Sequence, residues 1–70
     1  MFDFSKLKGL IRERGFTQHD IAEHLHISDN ALSFKLNGKT YFTAKEMNDI
    51  CDLLAIDNND IALYFFAIRV

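Results

Sequence analysis

The apolar positions fall into short groups whose members are mostly three or four residues apart, the spacing of one helix face. Phe4, Leu7 and Ile11 predict a first helix over about residues 5 to 14, with Gly15 where a helix commonly ends in a left-handed residue. Thr17 then offers an N-cap, with Asp20 three residues on as a short capping-box partner, and a second helix runs to about His24 with Ile21 and Leu25 inward. Residues 25 to 28 turn the chain. Ser28 caps a third helix through Asn37, with Leu32 and Leu36 facing the core and Asp29, Asn30, Ser33 and Phe34 away from that stripe. Asn37 and Gly38 both tolerate positive φ and supply the stop. Thr43 and Glu46 make a full capping box ahead of Met47, Ile50, Cys51 and Leu54, the firmest helix of the chain. The polar cluster of residues 57 to 60 breaks it and caps a last helix through Ile61, Tyr64 and Phe65.

This pattern predicts an all-α chain, and 70 residues suffice for one domain, 1 to 70, but not for two. The absence of proline suits several short helices joined by glycine and polar turns. No apolar run approaches the roughly 18 to 20 residues of a membrane span, and residues 1 to 9 are amphipathic where a signal peptide carries a continuous apolar stretch. The expectation is a cytoplasmic protein with no membrane association. Cys51 is the only cysteine, so no internal disulfide forms and stability must come from packing or a partner. Its place in an apolar stripe favours a packed thiol over a reactive one.

A formal charge of −2 argues against an indiscriminate nucleic-acid binder, because sequence-independent affinity comes from Lys and Arg displacing counterions from phosphate. The charge is uneven. Residues 1 to 42 carry six Lys or Arg against five acids, whereas residues 43 to 70 carry two against five, so any contact with DNA is expected from the first part.

Residues 17 to 38 narrow the reading. The string Thr17-Gln18-x-x-Ile21-Ala22-x-x-Leu25-x-Ile27-Ser28-x-x-x-Leu32-Ser33-x-x-Leu36-Asn37-Gly38 resembles the helix-turn-helix of the Cro and repressor (XRE) family. The resemblance implies a compact five-helix, lambda-repressor-like DNA-binding domain with the motif at its second and third helices. It also implies a transcription regulator of phage or prophage type, acting on double-stranded operator DNA. Ala22 is then small because two helices cross there, and Ile21, Leu25, Ile27 and Leu32 fill the wedge between them. Thr17 and Gln18 stand at the helix start where this family holds a DNA phosphate. Ser28 caps the recognition helix, which projects Asp29, Asn30 and Ser33 toward bases, and Asn37, Lys39 and Thr40 resemble positions that touch the backbone.

Four positions depart from that pattern. His26 replaces the usual turn glycine, and histidine enters left-handed space more readily than most residues. Asp29 stands where readers often have glutamine, Phe34 where they often have Lys, Arg or Gln, and Lys35 where an apolar residue is usual. Asp29 can accept from cytosine N4 and Phe34 can pack on a thymine methyl. Lys35 is expected to pack its stem and reach outward with its ammonium. The same face suggests a second use, in which Asp29, Asn30 and Phe34 bind a co-encoded repressor protein in the manner of an anti-repressor.

His19, His24 and His26 are not spaced to share one helix face, so no metal site is expected and exposed or turn histidines are. No nucleophile and base are placed for catalysis, and no cofactor is implied. The apolar run of residues 63 to 68 is too rich for one helix face. Either Phe65 and its neighbours close the core over the first helix, or the run forms a homodimer interface.

Overall fold

The computed structural model describes residues 2 to 68. Five α-helices follow one another: α1 (Ser5–Glu13), α2 (Gln18–Leu25), α3 (Asp29–Leu36), α4 (Ala44–Leu54) and α5 (Ile61–Phe65), the last preceded by a 3-10 turn at Asn58–Asp60. No strand forms among the described residues. A single antiparallel bridge pairs Phe2 with Ile68, and the Asp3 N–H donates to the Ala67 carbonyl at 2.7 Å, tying the two ends of the chain together.

The starts of the helices follow the capping residues. Thr17 Oγ1 accepts from the Asp20 N–H at 3.1 Å while Asp20 accepts from the Thr17 N–H at 2.8 Å, and Thr43 and Glu46 repeat this reciprocal box at 3.1 and 2.9 Å. Ser28 Oγ accepts from the Ala31 N–H at 3.0 Å. Each of these satisfies a backbone donor that the first helical turn leaves orphaned. Asp57 does the same for the Asn59 N–H, and this shortens the last helix to Ile61–Phe65, because the residues after the cap wind as 3-10.

The ends depend on positive φ. Gly15 (φ 85°) and Gly38 (φ 79°) adopt it at the places expected, and His26 takes it at φ 59° in the turn after α2. Ala55, with φ 57°, is a second non-glycine left-handed residue that nothing in the sequence marks. Its helix ends there nonetheless, because the next residue, Ile56, is buried and sends its N–H back to the Cys51 carbonyl at 2.9 Å. α1 stops one residue short of the expected Arg14, whose Nε instead donates to the Leu54 carbonyl at 3.0 Å and fastens α1 to the end of α4.

One core joins all five helices. Leu7, Ile21, Ile50 and Leu54 are wholly inaccessible, and Phe4, Leu10, Ile11, Leu32, Leu36 and Phe65 are buried around them. Fully burying one such side chain contributes about 1.5 to 3 kcal/mol, so the apolar stripes and not intrinsic helix propensity hold these short helices. α2 packs on α3 and α4, and α1 packs on α5. Phe65 closes the core, edge-on to Phe42 with centroids 5.6 Å apart, and Phe42 stands likewise against Phe4 at 5.5 Å. Of the run at residues 63 to 68, Phe65 thus closes the core on the side of α1, while its neighbours do so only in part. Leu63, Phe66 and Ile68 remain exposed. No helix among the described residues is long and apolar enough to cross a membrane.

Candidate nucleic-acid interface

α2 and α3 meet through a turn of three residues, His26, Ile27 and Ser28. Ile21, Ala22 and Leu25 on one helix and Leu32 on the other are buried between them, and the Ile27 N–H donates to the Ala22 carbonyl at 3.0 Å. Ala22 is 1% exposed, so its methyl group sets how closely the two helices approach. Left-handed backbone at His26 directs the chain from one axis to the next.

The opposite side of this pair is polar and open. Gln18 lies exposed at the first position of α2, and Thr17 and Ser28 are occupied as caps. Asn30 is exposed on α3. Ser33 is half-buried, and its Oγ accepts from Asn37 Nδ2 at 3.3 Å. Asn37 closes α3 and in turn accepts from Lys8 Nζ at 3.2 Å through its Oδ1, so a lysine from α1 reaches this surface. Lys39 and Thr40 follow the end of α3, both exposed, with their N–H groups directed at the Phe34 carbonyl at 2.9 and 3.4 Å. The phenyl ring of Phe34, 48% exposed, carries the Lys39 ammonium 5.5 Å from its centroid, a cation–π contact.

Lys35 stands differently from its sequence expectation, and Asp29 has a partner that the sequence does not show. Lys35 does not send its ammonium outward: it pairs with Glu46 at 3.1 Å and donates to the Tyr41 carbonyl at 2.9 Å, with only 14% of its side chain exposed. The reason is the fold of residues 38 to 46, which brings the carboxylate of the α4 capping box beneath the last turn of α3. Asp29, the first residue of α3, does not stand as an unpaired acid. Both of its oxygens lie against His19 Nδ1, at 2.9 and 3.1 Å.

The surface is electrically divided. Asp20, Glu23 and Asp29 gather around His19, and Lys8 and Lys39 lie at the end of α3. The Thr17 N–H and hydroxyl hold the Asp20 carboxyl below its ordinary range, so it stays ionised in the cap. Sequence spacing did not reveal the part of His19 or Lys8 in this face, since His19 reaches across from α2 to Asp29 on α3 and Lys8 comes from α1. Cys51 is buried elsewhere, in the α4 stripe, and burial pushes its thiol up.

Comparison with known families adds one finding. A family model described as "Protein of unknown function (DUF739)" matches residues 1–68. The chain belongs to the DUF739 family. No curated protein matches it. In this DUF739 chain the matched stretch takes in all five helices and the whole polar face of α2 and α3.

Besides that face, a recess of about 240 Å³ opens among Phe2, Phe4, Tyr41, Phe42, Phe66 and Ile68, where the bridged ends of the chain meet the loop before α4.

Proposed function

We propose that this chain is a sequence-specific DNA-binding transcription regulator of the Cro/repressor type, a five-helix repressor-like domain whose helix-turn-helix is α2 and α3. The observation that carries the reading is the division of these two helices into a buried seam, at Ile21, Ala22, Leu25 and Leu32, and an outer face that leaves Asn30 and Phe34 accessible. An α-helix so presented has the width of the major groove of B-DNA. In this reading Asn30 and Ser33 read base edges, while Thr17, Gln18, Asn37, Lys39 and Thr40 position the phosphate backbone. Lys8 joins them through Asn37. Ser28 serves by capping α3, Asp29 sits at the edge of the base-reading surface, and Lys35 acts indirectly by fixing α3 on α4.

The test is titration of the purified protein against operator-length duplexes at two salt concentrations. Asn30→Ala is expected to relax preference at one base pair by about 1 to 3 kcal/mol, and Lys39→Ala to weaken all sequences alike and lower the salt slope by about one. Equal losses on every sequence from both variants would remove these roles.

A second reading rests on Phe34. An exposed phenyl ring on the helix that also exposes Asp29 and Asn30, on a surface that has lost the Lys35 cation to α4, also suits an anti-repressor that grips the basic face of a co-encoded repressor. Its signature is a stable complex with that repressor, no shift of operator DNA alone, and loss of the complex in Phe34→Ala. A homodimer through the exposed C-terminal residues Leu63, Phe66 and Ile68 fits the DNA reading, since a two-fold operator presents half-sites about 34 Å apart.

A further inference from the structure

The His19 ring spans the two helices on their polar face. Its Nδ1 contacts both oxygens of Asp29 on α3, at 2.9 and 3.1 Å, and its Nε2 lies 3.5 Å from the Glu23 carboxylate one turn along α2. A neutral imidazole has one N–H, which the Asp29 carboxylate takes up, and the Glu23 carboxylate 3.5 Å from the other nitrogen favours a second proton on the ring. The charged groups acting on the ring are Asp29 from α3 and Glu23 and Asp20 from its own helix. α4, the other main element packed on α2, brings none to it among the described residues. The Asp29 hydrogen bond first, then the charges of Asp29 and Glu23, hold His19 above its ordinary 6.5.

Resting on the reading of α2 and α3 as a DNA-binding pair, we infer that His19 is a positioning residue for Asp29 that makes the grip of this face on DNA proton-linked. Protonated, the ring draws the Asp29 carboxylate back against α2 and sets a positive charge beside three acids. Asn30 and Ser33 are then left as the polar groups of α3 aimed at bases. Deprotonated, one nitrogen turns a lone pair toward a carboxylate, the clamp weakens, and Asp29 stands as a full negative charge at the start of the recognition helix, where phosphate repels it. DNA bound to the face adds further negative charge and so favours the imidazolium. Binding therefore takes up a proton. By linkage the affinity falls as pH rises through the His19 titration, by at most about tenfold per pH unit for one proton.

The experiment uses the full chain and a duplex of about 20 base pairs recovered by the protein from a random pool. Fluorescence anisotropy between about pH 5.5 and about pH 8 is expected to show a three- to tenfold fall in affinity. His19→Gln, neutral throughout, is expected to abolish the slope, Asp29→Asn to flatten it while raising affinity at the alkaline end, and His24→Gln to leave it in place. NMR titration of the His19 ring in the wild-type protein needs no variant, and its midpoint is expected to rise when the duplex is bound. Identical slopes in wild type and His19→Gln, an affinity that rises with pH, or an unchanged midpoint on binding would each overturn this role of His19 with the DNA reading intact. Failure to recover any duplex at any pH would overturn the DNA reading and this inference together.

Discussion

Lys35 on α3 and Glu46 on α4 form an ion pair at 3.1 Å in which both side chains are about six-sevenths buried, 14% and 15% exposed. The same Glu46 oxygen accepts from the Thr43 N–H at 2.9 Å, so one carboxylate closes a capping box and anchors the neighbouring helix. Lys35→Met is therefore expected to lower stability by about 1 to 2 kcal/mol in urea denaturation, because it leaves a partly buried carboxylate less well paired. It is expected to leave the salt slope of DNA binding unchanged, since this ammonium does not reach the outer face. A reduced slope would return Lys35 to the interface.

The pH dependence of stability has its sign from the same residue. Burial pushes the Glu46 carboxyl up, but the Thr43 N–H and the Lys35 ammonium outweigh it and leave it below its usual 4.5. A carboxyl depressed in the folded state stabilises above its unfolded value, and that contribution disappears as pH falls through the folded one. Thermal unfolding is expected to show a decline below about pH 4.5 that is shallower in Glu46→Gln, which is less stable at neutral pH to begin with. Parallel curves for the two proteins would contradict it.

At Ala22 the prediction concerns geometry. Leu in place of this 1% exposed alanine is expected to cost about 1 to 3 kcal/mol by overpacking and to splay α2 from α3. DNA binding should fall further than the loss of folded population explains. A variant folded as stably as wild type would show that the seam has room the structure does not indicate.

The two left-handed residues outside glycine among the described residues, His26 and Ala55, carry a local backbone cost. Glycine at either position is expected to stabilise by about 0.5 to 1 kcal/mol, while Val at 26 is expected to destabilise by more. Calorimetric melting of His26→Gly, Ala55→Gly and His26→Val checks the order. A melting temperature lowered by both glycines would mean that unfolded-state entropy outweighs the strain.

Phe65→Ala is expected to cost about 3 to 5 kcal/mol, enough to unfold much of a domain this small. Leu63→Ser, at an exposed position beside it, is expected to stay within about 0.5 kcal/mol. Circular dichroism at increasing temperature separates the two. Similar losses would place the interior face of α5 elsewhere.

The sequence by itself determined the helices and most of their boundaries. Thr17, Ser28 and Thr43 cap through bonds to backbone atoms three residues away, and Phe4, Leu7, Leu32 and Ile50 bury at a period that one turn of helix imposes. Such local interactions are complete within a few residues, so the chain states them outright. Tertiary structure alone decided the charge contacts between helices. Lys35 turned to α4 because a capping glutamate eleven residues later lies beneath it, Asp29 found His19 ten residues earlier on another helix, and Lys8 reached Asn37 from the first helix. Long polar side chains choose among partners by distance and desolvation, and those are set only once the helices have packed.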